Sequence, residues 1–307
     1  MERRVIVILG PTASGKTGIG IEIAERLDTE IISADSRQLY KKLNIGTAKP
    51  TEEELSRVKH HFIDYLNLEE EYNVSKFENE ALTVINSLHA QGKIPVVVGG
   101  SGLYIKALVD GIFNEVETDS KFRAELLDLR KEKGNDYLYE MLRIKDPVTA
   151  AELLPQNWKR VIRALEVNHL TGKSIKEFHK DFKREDNYRF YLFGLNWERK
   201  VLYERIENRV DKMIELGLVD EVKKILFEGY DRNINSLNTV GYKEIFDFLD
   251  GTISLERAVE LIKRNTRRYA KRQLTWFRRE KRIKWLDVKV SPDFSALASE
   301  IIDIINE

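Results

Sequence analysis

The sequence has no cysteine among its 307 residues. This absence excludes disulfide bonds, thiolate zinc sites and cysteine nucleophiles, and it is typical of a protein in a reducing compartment. Long apolar runs are also missing, since no stretch approaches the roughly 20 residues that a membrane-spanning helix needs. The run at residues 5–9 is too short for a signal peptide and ends in a Gly/Pro turn. We therefore expect a cytoplasmic protein that does not associate with membranes.

An excess of charge of one sign is missing as well, because 51 Lys and Arg balance 51 Asp and Glu. A neutral total argues against a nucleic-acid partner. The two signs are segregated, however: residues 51–80 hold nine acidic and three basic residues, while residues 263–284 hold eleven basic and one acidic. Segregated charge allows one face to bind a polyanion. The hydrophobic fraction of 42% excludes dominant disorder, and the length suggests roughly two domains.

The first third of the chain alternates short apolar runs with helical patterns. Residues 5–9, 30–34 and 94–98 predict strands that are buried on both faces of a parallel sheet. Helical spacing between them, at 16–27 and 74–91, completes the pattern of a doubly wound α/β domain.

The middle of the chain lacks strand-like runs. Residues 119–186 are charged and helical in pattern, and a strand pattern returns at 188–195. This order predicts a helical insertion domain (119–186) within an α/β core formed by residues 1–118 and 187–307. The C-terminal part of the core is predicted to be helical, at 199–228, 243–249 and 255–279.

A phosphate-loop motif, G-x-x-x-x-G-K-[ST], lies between the first predicted strand and the first helix. Its glycines let backbone N–H groups converge on phosphate oxygens, and the helix N-terminus adds positive potential. Lys16 supplies a charge and the Thr17 hydroxyl can bind Mg²⁺. The motif does not say which phosphorylated ligand binds. The predicted phosphate-binding residues are Gly10, Pro11, Thr12, Ala13, Ser14, Gly15, Lys16 and Thr17.

Two other loops follow predicted strands and therefore belong at the same edge of the sheet, where ligands of doubly wound folds bind. One carries Asp35, for which the pattern leaves metal binding and a general-base role equally open, with a purely structural cap as the third alternative. The other is Gly-rich and carries Ser101, which either hydrogen-bonds a ligand or sits in a tight turn. For the neighbouring pair His60–His61 we predict a structural or surface role, because adjacent side chains diverge and no metal-ligand cluster accompanies them.

A basic face is predicted on the helix at 255–279, because five cations recur at spacings of three and four: Arg264, Arg267, Arg268, Lys271 and Arg272. Aromatic residues are interleaved with them, as in surfaces that bind phosphate backbones. The alternative is a solvated helix face. A second basic cluster lies at residues 159–163, within the predicted insertion.

Seven segments together resemble the tRNA dimethylallyltransferase (tRNA isopentenyltransferase) family of bacterial type. They are GPTASGKT (10–17), ISADSRQLY (32–40), GTAKP (46–50), VVGGSGLY (97–104), RVIRALEV (160–167), TVGYKEI (239–245) and RRYAKRQLTWFR (267–278). They cover nearly the whole chain in order. The phosphate loop alone is common to many families, whereas DSRQLY, GTAKP and YAKRQLTWF in one chain are highly specific.

The resemblance implies a P-loop-NTPase-like parallel-sheet core with a helical insertion domain. It implies transfer of a dimethylallyl group from dimethylallyl diphosphate to the N6 amine of adenine 37 of tRNA, with Mg²⁺ as cofactor and without nucleotide hydrolysis. The adenine and the donor would enter a channel from opposite sides. The expected partner is the tRNA anticodon stem-loop, and the expected state is a monomer. Without cysteine, the chain lacks the Cys-ligated zinc finger that eukaryotic members append.

The resemblance also implies roles for individual residues. Asp35 matches the general base, Lys16 and Thr17 match the diphosphate and Mg²⁺ residues, and Arg209 matches an arginine that contacts the diphosphate. Ser101 stands where many members have Thr and is expected, with Asp35 and Arg209, to be catalytic. The expected tRNA-binding residues are Asp35, Ser36, Arg37, Gln38, Ser101, Arg123, Lys159, Arg160, Val161, Ile162, Arg163, Arg268, Lys271 and Arg272.

Three alternatives to this function remain. An ATP-dependent nucleoside or nucleotide kinase would use the same phosphate loop, but it leaves the two basic regions unexplained. A non-catalytic RNA-binding NTPase would bind without turnover of a prenyl donor. An adenylate isopentenyltransferase would use free AMP, but the insertion and the RRYAKRQLTWFR segment favour tRNA.

Overall fold

The computed structural model describes residues 2–112, 118–181, 187–289 and 292–306. The chain forms two compact units, one of residues 1–109 with 186–307 and one of residues 110–185. The second unit thus starts before the predicted insertion boundary at residue 119. In the described residues, no helix is long and apolar enough to cross a lipid bilayer.

The first unit is built on a parallel sheet, as the apolar runs predicted. Within the described residues it has six strands: β1 (Arg3–Leu9), β2 (Ile31–Ala34), β3 (His60–His61), β4 (Val96–Gly99), β5 (Tyr188–Trp197) and β6 (Lys284–Val288). The order across the sheet is β3-β2-β4-β1-β5-β6, and every neighbouring pair is parallel. The two edge strands were not predicted, because one has two residues and the other is half polar.

The helices follow in chain order: α1 (Lys16–Arg26), α2 (Glu52–Arg57), α3 (Val74–Ala90), α4 (Gly102–Asp110), α5 (Ser120–Lys145), α6 (Pro147–Ala150), α7 (Trp158–Thr171), α8 (Ile175–Asp181), α9 (Arg199–Glu215), α10 (Leu218–Phe227), α11 (Tyr242–Leu249), α12 (Leu255–Phe277) and α13 (Phe294–Asn306). The single helix predicted at 199–228 is wrong. Gly217, with φ of 95°, separates α9 from α10, since left-handed backbone is favourable for glycine and ends a helix.

Both faces of the sheet are covered by helices, which explains the unbroken apolar runs of the central strands. In β1, Val5 and Val7 face the layer that contains α3, α4, α10 and α11, while Ile6 and Ile8 face the layer that contains α1 and α13. Because the helices cover both faces, the ends of the strands are where the described sheet is open to a ligand. The second unit has a separate core around Leu138, Leu142 and Leu165.

Candidate active site

A cavity of about 360 Å³ lies at the carboxyl ends of β1, β2 and β4. It is lined by the phosphate loop, by the segment after β2, by the loop after β4, and by side chains of α9 and α12. The lining residues that bear on chemistry are Thr12, Lys16, Thr17, Asp35, Ser36, Arg37, Gln38, Arg209, Tyr269, Arg272 and Gln273. The structure thus brings together residues that the sequence distributes over more than 250 positions.

The phosphate loop curls because two of its residues adopt left-handed backbone, Ala13 with φ of 62° and Gly15 with φ of 87°. Two of its carbonyl oxygens accept hydrogen bonds from the scaffold: Trp197 Nε1 donates to Ser14 O (3.0 Å), and Arg205 Nε donates to Ala13 O (3.0 Å). The N–H of a trans peptide points opposite to its C=O. These bonds therefore leave the N–H groups of the same peptides turned to the other side, as an anion-binding loop requires.

Two cations share this end of the cavity. Lys16 is partly buried, and its Nζ donates to Pro11 O at 2.7 Å. Burial, followed by the charge of Arg209, lowers the pKa of Lys16 to about 7, although Asp35 opposes the shift. Burial is also the main cause that lowers the pKa of Arg209, whose guanidinium donates to Thr12 Oγ1 at 3.4 Å. Two desolvated cations beside a phosphate loop form a site that an anion stabilises.

The segment after β2 is held in a fixed turn. Asp35 Oδ1 accepts the N–H groups of Arg37 (2.8 Å) and Gln38 (3.3 Å), as in an Asx turn. The N–H of Ser36 donates to Ser101 Oγ at 3.0 Å. Ser101 therefore fastens the Asp35 segment to the loop after β4, and the carboxylate of Asp35 lines the cavity in one defined position.

Arg37 and Gln38, expected to bind tRNA, make hydrogen bonds within the protein. Arg37 donates to Asn235 O at 2.7 Å. Gln38 Nε2 donates to Thr47 O (3.2 Å) and Ala48 O (3.0 Å). Both side chains thus fix neighbouring loops that border the cavity, and their contact with tRNA stays a prediction.

The insertion residues fall into three groups: two arginines in ion pairs, two apolar residues in a core and two exposed cations. Arg123 and Arg163 both pair with Glu166, at 2.7 and 2.6 Å, and Glu166 is fully buried.

The side chains of Val161 and Ile162 lie in the core of the second unit, 0% and 4% exposed. Lys159 and Arg160 are exposed. Contact of the residues at 159–163 and of Arg123 with tRNA stays a prediction.

The cations of α12 fall into two sets, one paired with acidic residues of α9 and one exposed. Arg267 pairs with Glu207 and Lys263 with Asp211, both on α9, so these cations hold two helices together. Arg268, Lys271 and Arg272 are exposed. The sequence alone does not distinguish a paired cation from an exposed one, because the acidic partners lie more than fifty positions away.

The histidine pair has protein partners. His60 Nδ1 lies 2.8 Å from Val58 O, and His61 Nε2 lies 2.6 Å from Glu30 Oε2. Throughout the described ranges, no group of three or more His, Cys, Asp or Glu side chains is placed to hold a metal ion.

Two residues with evident roles were not singled out from the sequence. Gln273 on α12 bonds to the phosphate loop and to the loop after β4. Glu221 on α10 accepts the N–H groups of three consecutive residues, 44–46, and the hydroxyl of Tyr242. Gln273 belongs to a segment that carried the family resemblance, whereas Glu221 has no sequence signal.

The model of the IPP transferase family matches residues 38–280. The chain is 46% identical to the tRNA dimethylallyltransferase of Pelotomaculum thermopropionicum, over 97% of this chain and 95% of the relative. It is 49% identical to the enzyme of that name from Thermotoga maritima, over 93% of this chain and 92% of the relative.

Solved structures are similar over most of their length. The tRNA isopentenylpyrophosphate transferase of Bacillus halodurans matches with a TM-score of 0.73 and 41% identity, covering 99% of this chain and 96% of that one. A eukaryotic dimethylallyltransferase, crystallised acting on tRNA, matches with a TM-score of 0.77 and 32% identity, covering 92% and 73%.

Proposed function

Because the chain belongs to the IPP transferase family, we propose that it transfers a dimethylallyl group from dimethylallyl diphosphate to the N6 amine of adenine 37 of tRNA. One observation carries this proposal beyond family membership. A single cavity holds a phosphate loop with two partly buried cations and, at the end of β2, one carboxylate fixed in a turn. The phosphate loop and its cations suit a diphosphate leaving group, and the carboxylate suits the role of proton acceptor.

The donor end would lower the cost of breaking the bond between the allylic carbon and the diphosphate oxygen. Charge develops on the leaving oxygen as that bond lengthens. The loop N–H groups, Lys16 and Arg209 are already in place to stabilise it. The electron pair leaves with diphosphate, and the allylic carbon forms its new bond with the adenine nitrogen.

The acceptor end would take up the proton that the amine loses. Asp35 is the carboxylate that lines the cavity among the described residues. Its Oδ1 is held by two backbone N–H groups, which fixes the direction of the carboxylate. A positioned general base typically contributes 10²- to 10⁴-fold to a rate. Ser101 positions this segment and keeps its own hydroxyl proton to donate.

A divalent cation fits the residues present. The Thr17 hydroxyl and the Asp35 carboxylate line the same cavity, and oxygen atoms are the ligands that Mg²⁺ prefers. Mg²⁺ usually binds through one or two such groups together with substrate phosphates, which agrees with the lack of an acidic cluster in the described residues. When bound, the ion would offset charge on the diphosphate.

The tRNA would bind through the exposed cations of α12, namely Arg268, Lys271 and Arg272, with Lys159 and Arg160 of the second unit as further contacts. Moving adenine 37 out of its stack costs on the order of a few kcal/mol. Contacts with the phosphate backbone and the release of counterions offset that cost. The anticodon stem-loop as the bound part of tRNA, a monomeric enzyme and a cytoplasmic location belong to the same proposal.

The direct test is incubation with ¹⁴C-labelled dimethylallyl diphosphate and unmodified tRNA, followed by nucleoside analysis. We expect the label in N6-dimethylallyl adenosine and no consumption of added ATP. ATP hydrolysis with phosphorylated nucleoside would instead identify a kinase. Labelled AMP without labelled tRNA would identify an adenylate prenyltransferase, and binding of RNA without transfer would exclude catalysis.

A further inference from the structure

Gln273 is buried in α12, with 7% of the residue exposed. Its side-chain amide makes two hydrogen bonds to two separate loops. Oε1 accepts the N–H of Thr12 at 2.9 Å, and Nε2 donates to Gly100 O at 2.9 Å. A backbone N–H only donates and a carbonyl only accepts, so the chemistry of the two partners fixes the orientation of the amide.

The contact depends on the absence of a side chain at residue 100. A Cβ built on Gly100 would lie 2.4 Å from Nε2 of Gln273, closer than two such atoms approach. The glycine therefore lets the amide of Gln273 reach the backbone of this loop.

The two loops joined by Gln273 are those that carry the two halves of the proposed reaction. Thr12 belongs to the phosphate loop. Gly100 precedes Ser101, whose Oγ accepts the N–H of Ser36, next to Asp35. One amide therefore stands between the group that would hold the leaving diphosphate and the segment that would hold the base.

The helix that carries Gln273 also carries the exposed cations. Lys271 and Arg272 directly precede it, so one short stretch of α12 has an exposed basic side and a side hydrogen-bonded to both loops. An intact helical stretch of this length moves as one piece, since its backbone hydrogen bonds link each residue to the next turn. A shift of α12 when tRNA binds would therefore be transmitted to both loops.

We propose that Gln273 is a positioning residue that couples tRNA binding on α12 to the arrangement of the phosphate loop and the Asp35 segment. This inference rests on the proposed function. It requires that tRNA raises the affinity for the prenyl donor and that the donor raises the affinity for tRNA by the same factor, since coupling between two sites is reciprocal.

Three variants test the coupling. Gln273→Met keeps the volume and removes both hydrogen bonds. Gln273→Glu keeps an acceptor for Thr12 N–H and places a carboxylate against Gly100 O. Gly100→Ala displaces the amide without changing Gln273. The matched control is Gln91→Glu, the same substitution at the exposed residue that directly follows α3 in the chain. Melting temperatures report whether each variant is folded.

The measurement is the Kd of dimethylallyl diphosphate alone and with saturating tRNA that carries guanine at position 37, which offers no N6 amine. For wild type and for Gln91→Glu we expect tRNA to lower this Kd by about tenfold, within the usual range of coupling. For the three variants we expect tRNA to lower the donor Kd by less than about twofold. In turnover with reactive tRNA at saturating donor, kcat should fall by roughly 10- to 100-fold, and KM for tRNA should rise by up to about tenfold, because the lost coupling also removes the effect of the donor on tRNA affinity.

A merely structural role would lower the melting temperature and leave the coupling of the folded fraction intact. Wild-type coupling in folded Gln273→Glu or Gly100→Ala would overturn the inference, and so would a wild-type protein in which tRNA does not change the donor Kd. Failure of the proposed function is a different result, namely a wild-type protein that transfers no dimethylallyl group to reactive tRNA.

Discussion

Single side chains in the cavity are held in place by the protein itself. The carboxylate of Asp35 is fixed by its own turn, Lys16 by Pro11 O, and Arg209 by its contact with Thr12. Groups that are oriented in advance need not reorganise when charge develops, which is why such sites stabilise a transition state better than water does. The same hydrogen bonds determine which substitution removes chemistry without removing structure.

Asp35→Asn should abolish the base and preserve the turn, because an amide oxygen still accepts the N–H groups of Arg37 and Gln38. We expect kcat to fall by at least about 100-fold, in the range of general-base catalysis, with tRNA binding changed by less than about twofold. Single-turnover transfer and filter binding measure the two quantities. Asp128→Asn, an exposed aspartate on α5, is the matched control. A near-normal kcat in Asp35→Asn would exclude Asp35 as the base.

Donor binding should depend on pH through Lys16, whose pKa in the free protein is lowered to about 7 by burial. A bound diphosphate favours the charged amine and raises this pKa, so binding takes up a proton at a pH between the two values. The affinity contributed by Lys16 is therefore complete below pH 7 and falls as pH rises above 7, by up to about tenfold per pH unit.

Titration of donor affinity from pH 6.5 to 9 checks this effect. Lys16→Arg is the control, because the arginine keeps its charge over this pH range. The pH dependence that remains in this variant reports the ionisation of the diphosphate itself. Above pH 7, donor affinity should fall more steeply with pH in the wild type than in Lys16→Arg. Parallel curves would show that Lys16 is already charged before the donor binds.

At the scale of elements, α12 has distinct faces with different partners. One face lines the cavity with Thr266, Tyr269 and Gln273, another pairs with α9, and a third exposes cations. Burial raises the pKa of Tyr269, so its hydroxyl stays neutral at physiological pH. The helix that the sequence marks as basic thus has three different surfaces. The number of cations on α12 is larger than the number of cations on its exposed surface.

Lys271→Ala and Arg267→Ala should separate two of these faces. If Lys271 contacts a phosphate, its loss lowers the slope of log K against log salt by about one unit. Arg267→Ala removes a helix-to-helix ion pair and should leave the slope unchanged, with a loss of stability of up to about 1 kcal/mol because the pair is partly exposed. Filter binding at several salt concentrations and urea unfolding measure these effects. Equal slopes for Lys271→Ala and wild type would make that face a solvated surface only.

At the scale of the whole molecule, each of the two units has its own hydrophobic core. Leu165 is fully buried in the core of residues 110–185, and Ile85 is fully buried against the sheet. Truncating either to Ala removes about 2–5 kcal/mol from the core that contains it. Because the two cores are separate, the effects belong to different cooperative units.

Differential scanning calorimetry should therefore resolve two transitions, with Leu165→Ala lowering one and Ile85→Ala the other. For a unit of the size of residues 110–185, each kcal/mol corresponds to roughly 4–8 °C. A single transition that both variants lower equally would mean that the two cores unfold as one.

The charge balance belongs to the same scale. Acidic residues 51–80 and basic residues 263–284 offset each other in the total but not in space, since the exposed cations of α12 remain available. A neutral chain is therefore compatible with a polyanionic substrate. The total charge constrains solubility, and the distribution of charge constrains partners.

The parallel α/β core, the phosphate loop and the family could be predicted from sequence patterns, because each rests on local information. Buried strands need continuous apolar runs, a loop that binds phosphate needs glycines at fixed spacing, and specific segments identify relatives. The sequence also located the individual loops that carry Lys16, Asp35 and Ser101.

The partners of the candidate side chains, in contrast, depend on how the chain packs. Arg123 and Arg163 are expected to bind tRNA and Arg267 belongs to the predicted basic face; in the structure each has a carboxylate partner on another turn or helix. Gln273 looks like an ordinary helical residue, yet it joins the two loops of the site. These partners lie from three to 261 positions away, and pairing at long range depends on how helices pack on the sheet, which no local pattern encodes.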